Sequence, residues 1–281
     1  MTCAQPARQY APDMLGAVIP LATPLEAEPP AQRTPRIALE VSWARLVDEV
    51  REAQRLRYSV FAGEMGALIQ TPLPLHDVDR FDDFCEHLLV RECEGGQVVG
   101  TYRLLAPDQA LRAGATYCDG EFDLSPLAHL RPGMVELGRS CVHPRHRQGG
   151  VIIALWTQLA HYMYRHRLQT MIGCASIPMR QDAPGHGDSA QQAAASVWHQ
   201  LRVRHMADPA FRVRARLPLP VDGPPAAEDA PIPALIRGYI GVGAKLLGAP
   251  AWDAQFNTAD LPMLLRMEDL PRRYLRMAPG A

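Results

Sequence analysis

The 281-residue chain is 47% hydrophobic, enough for one large core or two modest ones, and its formal charge of −1 excludes a global electrostatic pull toward nucleic acid. Its six cysteines show no CxxC spacing and no secretory signal is evident, which argues for reduced thiols in a cytoplasmic setting. The longest uncharged run near the middle, residues 148–164, is shorter than the ~20 apolar residues of a membrane span.

Residues 1–38 are rich in Pro and Ala without sustained periodicity, a composition that predicts a disordered leader. From Ser42 the spacing of Leu46, Val50, Ala53 and Val60 predicts a helix ending near residues 61–63. A loop follows with Pro72, Pro74 and an acidic run at 77–83. Residues 87–90 and 97–105 flank Glu94, Gly95 and Gly96, a hairpin signal. Residues 135–142 predict a strand, and a basic turn then opens a helix over about 149–165, with Ile152, Trp156, Leu159 and Met163 on its buried stripe. Residues 168–175 suit a central strand, 193–205 a helix, and 213–216 the start of another strand. Six of the 26 prolines fall within 217–233, marking a linker or long loop before an ordered-looking tail over 236–277. The succession predicts an α/β fold: a mixed, mostly antiparallel central sheet flanked by helices. It divides into a core over 39–216 and a C-terminal extension over 217–281 packing on that core.

Charge is distributed unevenly along this scheme. Residues 137–181 contain no Asp or Glu but six Arg and four His, whereas residues 76–94 carry seven acids against two Arg. One wall should attract anions and another cations. Glu136, alone among apolar strand neighbours, is either paired with an arginine or exposed, or is a general base whose proton affinity burial raises. Strict alternation puts Glu136 and Arg139 on opposite faces, so they share a site only if the strand bulges, and Gly138 is the residue expected to permit it. Arg145, Arg147, Gly149 and Gly150 form a basic turn whose helix-start amides suit a phosphate, although many surface turns look alike. Asp77, Asp79, Asp82 and Asp83 lack the glycine and distal glutamate of a calcium loop, and no metal is expected; they cap a strand, or recognise a cationic substrate. His87 stands at the edge of that loop. Cys141 reads as inert strand packing.

Seven segments then occur in a familiar order: Leu56-Arg-Tyr-Ser-Val-Phe61, Asp79-Arg-Phe-Asp82, Cys85-Glu-His-Leu-Leu-Val90, Gly100-Thr-Tyr-Arg-Leu-Leu105, Glu136-Leu-Gly-Arg-Ser-Cys-Val142, Gly173-Cys-Ala-Ser176, and the tail Gly238-Tyr-Ile-Gly-Val-Gly-Ala-Lys245 with Pro250-Ala-Trp-Asp253. Over residues 40–277 the chain resembles the bacterial ornithine–acyl-carrier-protein N-acyltransferases that make lyso-ornithine lipid, within the GNAT superfamily. It is more distantly similar to acyl-homoserine-lactone synthases, through Arg57, Phe61, Asp79, Asp82, Arg103, Glu136 and Arg139. Ile152 departs from the usual GNAT phosphate loop, which fits an acyl-carrier-protein donor better than tightly bound coenzyme A.

The resemblance implies transfer of a long, 3-hydroxylated acyl chain from acyl-carrier protein to the α-amine of L-ornithine. Glu136, Arg139 and His87 would be the catalytic residues. Arg57, Asp79, Asp82 and Arg103 would bind the substrate or order the acidic loop. Arg145, Arg147, Gly149 and Gly150 would hold the phosphopantetheine, and no cofactor would be tightly bound. The enzyme would work in the bacterial cytoplasm, with peripheral contact at the inner membrane left open by its amphiphilic product. A homoserine-lactone synthase, an acyl-CoA-dependent GNAT enzyme with another amine acceptor, and a lipid- or carrier-protein-binding module without turnover remain alternatives.

Overall fold

The computed structural model describes residues 38–147, 150–179, 187–221 and 230–270, so the leader apart from Ala38 lies outside the described residues. In chain order its elements are β1 (Leu39–Trp43), α1 (Val47–Tyr58) with a wider π-type turn over Ser59–Glu64, β2 (Glu86–Glu92), β3 (Val98–Leu105), α2 (Pro107–Ala113), α3 (Tyr117–Glu121), β4 (Phe122–Asp123) and β5 (Met134–Val142). They continue with α4 (Gly150–Arg165), β6 (Thr170–Pro178), α5 (Gly187–His205), β7 (Arg214–Ala215), α6 (Ala234–Gly241), β8 (Lys245–Leu246), β9 (Ala251–Asp253) and β10 (Thr258–Arg266). The main sheet has the order β1-β2-β3-β5-β6-β10-β8, with β9 on β10; β4 and β7 form a separate pair. Every neighbouring pair in the main sheet is antiparallel except β5 with β6. This is the mixed, mostly antiparallel sheet that the sequence predicts.

Alternation along β2 and β3 decides which helix covers which face. Leu88, Val90, Val99 and Tyr102 meet Val151, Leu155 and Leu159 of α4, whereas Leu89 and Val98 meet Ala53, Leu56 and Val60 on the α1 side. Each fully buried leucine in these layers contributes about 1.5–3 kcal/mol relative to exposure.

Two sequence expectations are corrected. The helix expected from Ser42 starts at Val47, because residues 39–43 alternate and pair with β2; Leu46, the first residue of the expected helical spacing, is 67% exposed at the helix start. The proposed extension after residue 216 is not laid on the core from outside. Its strand β10 pairs with β6 from Thr258–Pro178 through to Arg266–Thr170, so it is an interior strand. Seven consecutive residues of β10 are buried, the near-continuous pattern of a strand covered on both faces.

β5 and β6 pair only over three positions, ending at Glu136 and Ile172, and then part. Gly173 stands where they separate: a Cβ there would come 2.5 Å from the Leu137 carbonyl oxygen. Backbone cannot yield by changing rotamer. Gly173→Ala should therefore cost about 1–3 kcal/mol through overpacking, seen as a lower urea midpoint; an unchanged midpoint would mean the strands part freely.

Candidate active site

The acidic loop 77–83 folds back under the sheet and meets three arginines. Arg57 Nε lies 2.8 Å from Asp77 Oδ2, and its Nη2 2.9 Å from Asp82 Oδ2. Arg103 Nη1 reaches Asp79 at 2.6 Å and Asp82 at 3.0 Å, and Arg139 Nη2 reaches Asp79 at 3.0 Å. Gln54 donates to Asp82 at 3.0 Å, and His87 Nε2 lies 3.2 Å from the Asp82 carbonyl. Burial alone would push the Asp82 carboxyl up, but Arg57 and Arg103 outweigh it and hold it well below the usual range. Burial, reinforced by Arg57, lowers His87 to about 4, so its ring is neutral near pH 7.

The three aspartates thus neutralise three arginines and leave no charge spare for a cationic substrate. Of the sequence-predicted substrate and catalytic residues, His87, Arg57, Asp79 and Asp82 build this network and do not line the cavities described below; Arg103 and Arg139 belong to both. Asp79 and Asp82 thus order the loop with Arg57 and Arg103, one of the two roles the sequence leaves open to them, and His87 packs against the same loop.

The bulge that Glu136 and Arg139 require is present. Arg103 pairs with Gly138 and Thr101 with Cys141, so Arg139 and Ser140 together face one residue of β3. The left-handed conformation falls on Arg139 itself (φ 53°), not on Gly138. The extra residue returns Arg139 to the face that carries Glu136 and Arg103. There its guanidinium lies 4.8 Å from the Tyr117 ring centre and 4.2 Å from that of Phe256. Glu136 is 6% exposed and accepts N–H groups of α3 on both oxygens: Tyr117 at 2.8 Å and Cys118 at 2.7 Å.

Two cavities meet where β5 and β6 separate, sharing Tyr102, Leu137, Cys174 and Tyr239 in their walls. The one on the α4 side is almost wholly apolar, with Trp156, Leu159, Met171 and Leu265 among its walls. A Cβ at Gly238 would strike the Trp156 ring at 2.5 Å, so glycine there lets α6 close this cavity while Tyr239 stacks on the indole. The other is the more polar of the two: its walls mix Phe61, Leu105 and Phe256 with Glu136, Arg139, Ser140, Tyr117, Asp253 and Asp260. Tyr102 and Tyr239 hydroxyls hydrogen-bond at 2.5 Å on the boundary between the two.

Sequence reasoning missed Tyr117, Asp253 and Asp260. For Asp260 the signal was available: a lone carboxylate in an apolar strand, the same feature that singled out Glu136.

The basic turn lies at the surface. Arg147 is paired with Glu64 through both guanidinium nitrogens, one at 2.8 Å, whereas Arg145 forms no ion pair among the described residues. Gly150 begins α4, and Gly149 lies outside the described residues. Among those residues no His, Cys, Asp and Glu side chains are grouped to hold a metal, and no helix is long and apolar enough to cross a membrane.

Comparison with known proteins places this geometry. Residues 56–157 match the acetyltransferase (GNAT) domain family. The chain is 34% identical to an L-ornithine N(alpha)-acyltransferase of Rhodobacter capsulatus, over 85% of this chain and 93% of that protein. It is 36% identical to one of Rhizobium meliloti, over 89% and 87%. In three dimensions it resembles a CoA-dependent acyl-homoserine lactone synthase, BjaI, with a TM-score of 0.51 and 16% identity over 86% of this chain and 92% of that one, a likeness of fold.

Proposed function

The chain belongs to the L-ornithine N(alpha)-acyltransferase family, on a GNAT fold, and from that premise we propose that it transfers a 3-hydroxylated fatty acyl chain from acyl-carrier protein to the α-amine of L-ornithine, giving lyso-ornithine lipid. The observation that carries this reading is the meeting of an apolar and a polar cavity in the β5–β6 gap. A thioester lying in the gap would extend its chain into the first and present its carbonyl to an amine in the second.

Because β6 has turned away beyond Glu136, the β6-facing amides of residues 137–142 have no strand partner in that direction. Such preorganised donors, aimed at a developing oxyanion, contribute about 3 kcal/mol each. Glu136 is the base in this reading: each oxygen already holds one N–H and keeps a lone pair for the amine or an intervening water. Arg139 ties the bulge to Asp77 and Asp79 and stands in the wall of the same cavity. Arg145 and the start of α4 would receive the pantetheine phosphate, with the acid-free surface around Arg165 and Arg167 facing an acidic carrier protein. Arg147 contributes less, since Glu64 neutralises it. The enzyme would act in the cytoplasm, with its product passing to the inner membrane at a peripheral contact.

Purified protein given L-ornithine and 3-hydroxyacyl-carrier protein should yield N-acylornithine, with acyl-CoA a much poorer donor. Arg145→Glu should raise the carrier-protein KM about tenfold at low salt and progressively less as salt screens the surface. Equal use of acyl-CoA, with no effect of this variant, would remove the carrier protein from the reading.

A further inference from the structure

The polar cavity has charges that the ion network does not absorb. Asp253 and Asp260, 5% and 2% exposed, form no ion pair among the described residues. Asp253 accepts the Tyr117 hydroxyl and the N–H groups of Gln255 and Phe256, and Asp260 accepts the Thr258 hydroxyl at 2.7 Å. Buried carboxylates that lack a cation are costly, and hydrogen bonds from neutral groups offset only part of that cost. Burial first, with Asp253 adding repulsion, pushes Asp260 up to about 6; burial and both aspartates push nearby Glu121 up to about 7. At the opposite wall stands Arg139, its side chain 8% exposed. Its Nε lies 3.2 Å from Asp77 and its Nη2 3.0 Å from Asp79, while Nη1 makes no hydrogen bond among the described residues and is the donor left for a ligand.

Tyr117 joins these features. Its ring lies under the Arg139 guanidinium, its hydroxyl reaches Asp253, and its backbone N–H reaches Glu136. One tyrosine side chain therefore separates a donor suited to a carboxylate from acceptors suited to an ammonium, with the candidate base beside its main chain. We propose that this cavity is the acceptor subsite, holding the amino acid's carboxylate at Arg139 and its side-chain ammonium at Asp253 and Asp260. The assignment rests on the N-acyltransfer reading and adds what that reading lacks, a reason for choosing a free diamino acid. Asp79 and Asp82 cannot supply that selection, because their charges are spent on arginines. With carboxylate and terminal ammonium held at the two ends, the α-amine is left beside Glu136.

The test compares ornithine with norvaline, the same carbon chain without the terminal amine. Wild-type enzyme should prefer ornithine at least 100-fold in kcat/KM. Asp260→Asn should cut that preference at least tenfold, by raising the ornithine KM far more than the norvaline KM. Asp253→Asn should act alike, although its part in the 253–256 turn makes it the less secure variant to fold. Independently of any variant, ornithine should raise the wild-type melting temperature and norvaline at equal concentration should not; equal shifts would overturn the subsite. Folded variants whose preference stays within twofold of wild type would overturn it too, while leaving the reaction intact. Wild-type failure to acylate ornithine at all would remove both.

Discussion

Asp82→Asn should lower stability by about 3–5 kcal/mol, the largest effect expected of any conservative change in this protein. Arg57 has a fully buried side chain whose cation faces Asp77 and Asp82, and Arg103 leans on Asp82 and Asp79. Removing one charge leaves three buried arginines against two aspartates, and an uncompensated buried charge carries a penalty of this size. At about 2–4 °C per kcal/mol for a domain of this length, the melting temperature should fall by roughly 6–20 °C. The pH dependence follows from the direction of the shift. Asp82 sits below its usual 3.8 in the folded state, so its contribution is complete above that value and disappears as pH falls through the folded value. Melting curves of the variant and the wild type should therefore converge in strong acid. A variant that melts within 2 °C of wild type at pH 7 would show that these pairs balance their own desolvation and hold the loop by geometry alone.

That network also explains which parts of the site were legible in the sequence. Arginines and aspartates spaced from Arg57 to Arg139 announce an electrostatic centre, but spacing does not say whether the charges face one another or a ligand. Only the fold shows that the end of α1 and the loop 77–83 bring them together with β3 and β5. The strands and the helix around Glu136 were readable because their periodicities are sustained: β5, α4 and the β2–β3 hairpin all lie within a few residues of expectation. β1 was hidden because five alternating residues run directly into a helical pattern. β10 was read only as part of an ordered-looking tail, since a fully covered strand has no alternation to reveal it. Its place beside β6, set by long-range pairing, is what delivers Asp260 to a cavity more than a hundred residues from Glu136 in sequence.

The bulge at Arg139 connects stability with chemistry. A non-glycine residue held at φ 53° is unfavourable by itself and persists because the surroundings over-determine it. Here Asp77, Asp79, Tyr117 and Phe256 all grip the same guanidinium. The ion network is thus the clamp that keeps Arg139 on the face of Glu136 and turns Ser140 toward the Tyr102–Tyr239 pair, where the two cavities join. Weakening the clamp should reach the reaction through the bulge even at network residues that do not line the cavity, such as Arg57 and Asp82.

Glu136→Gln should reduce kcat by about 10²–10⁴-fold at pH 7, the range expected when a positioned base is removed. The amine of a free amino acid is mostly protonated at that pH and cannot attack a thioester until the proton leaves. The substitution also has a structural cost. Gln offers one acceptor where two N–H groups point, so either Tyr117 or Cys118 must face an amide donor, at about 1–3 kcal/mol. Two measurements separate these effects. If Glu136 takes the proton, the deficit should shrink as pH rises and bulk solvent deprotonates the amine, so that the kcat/KM profiles of variant and wild type draw together on the alkaline side. If Glu136 only anchors α3, the deficit should be the same at every pH and should follow the loss of melting temperature. Glu136→Asp sharpens the distinction: it keeps the charge while drawing it back one methylene from both amides. A base would retain more activity in the aspartate variant than in the glutamine one despite poorer packing, whereas an anchor would not. Should the glutamine variant keep near-normal turnover from neutral to alkaline pH, the proton must leave by another route, and Asp260 is the next carboxylate in the same cavity.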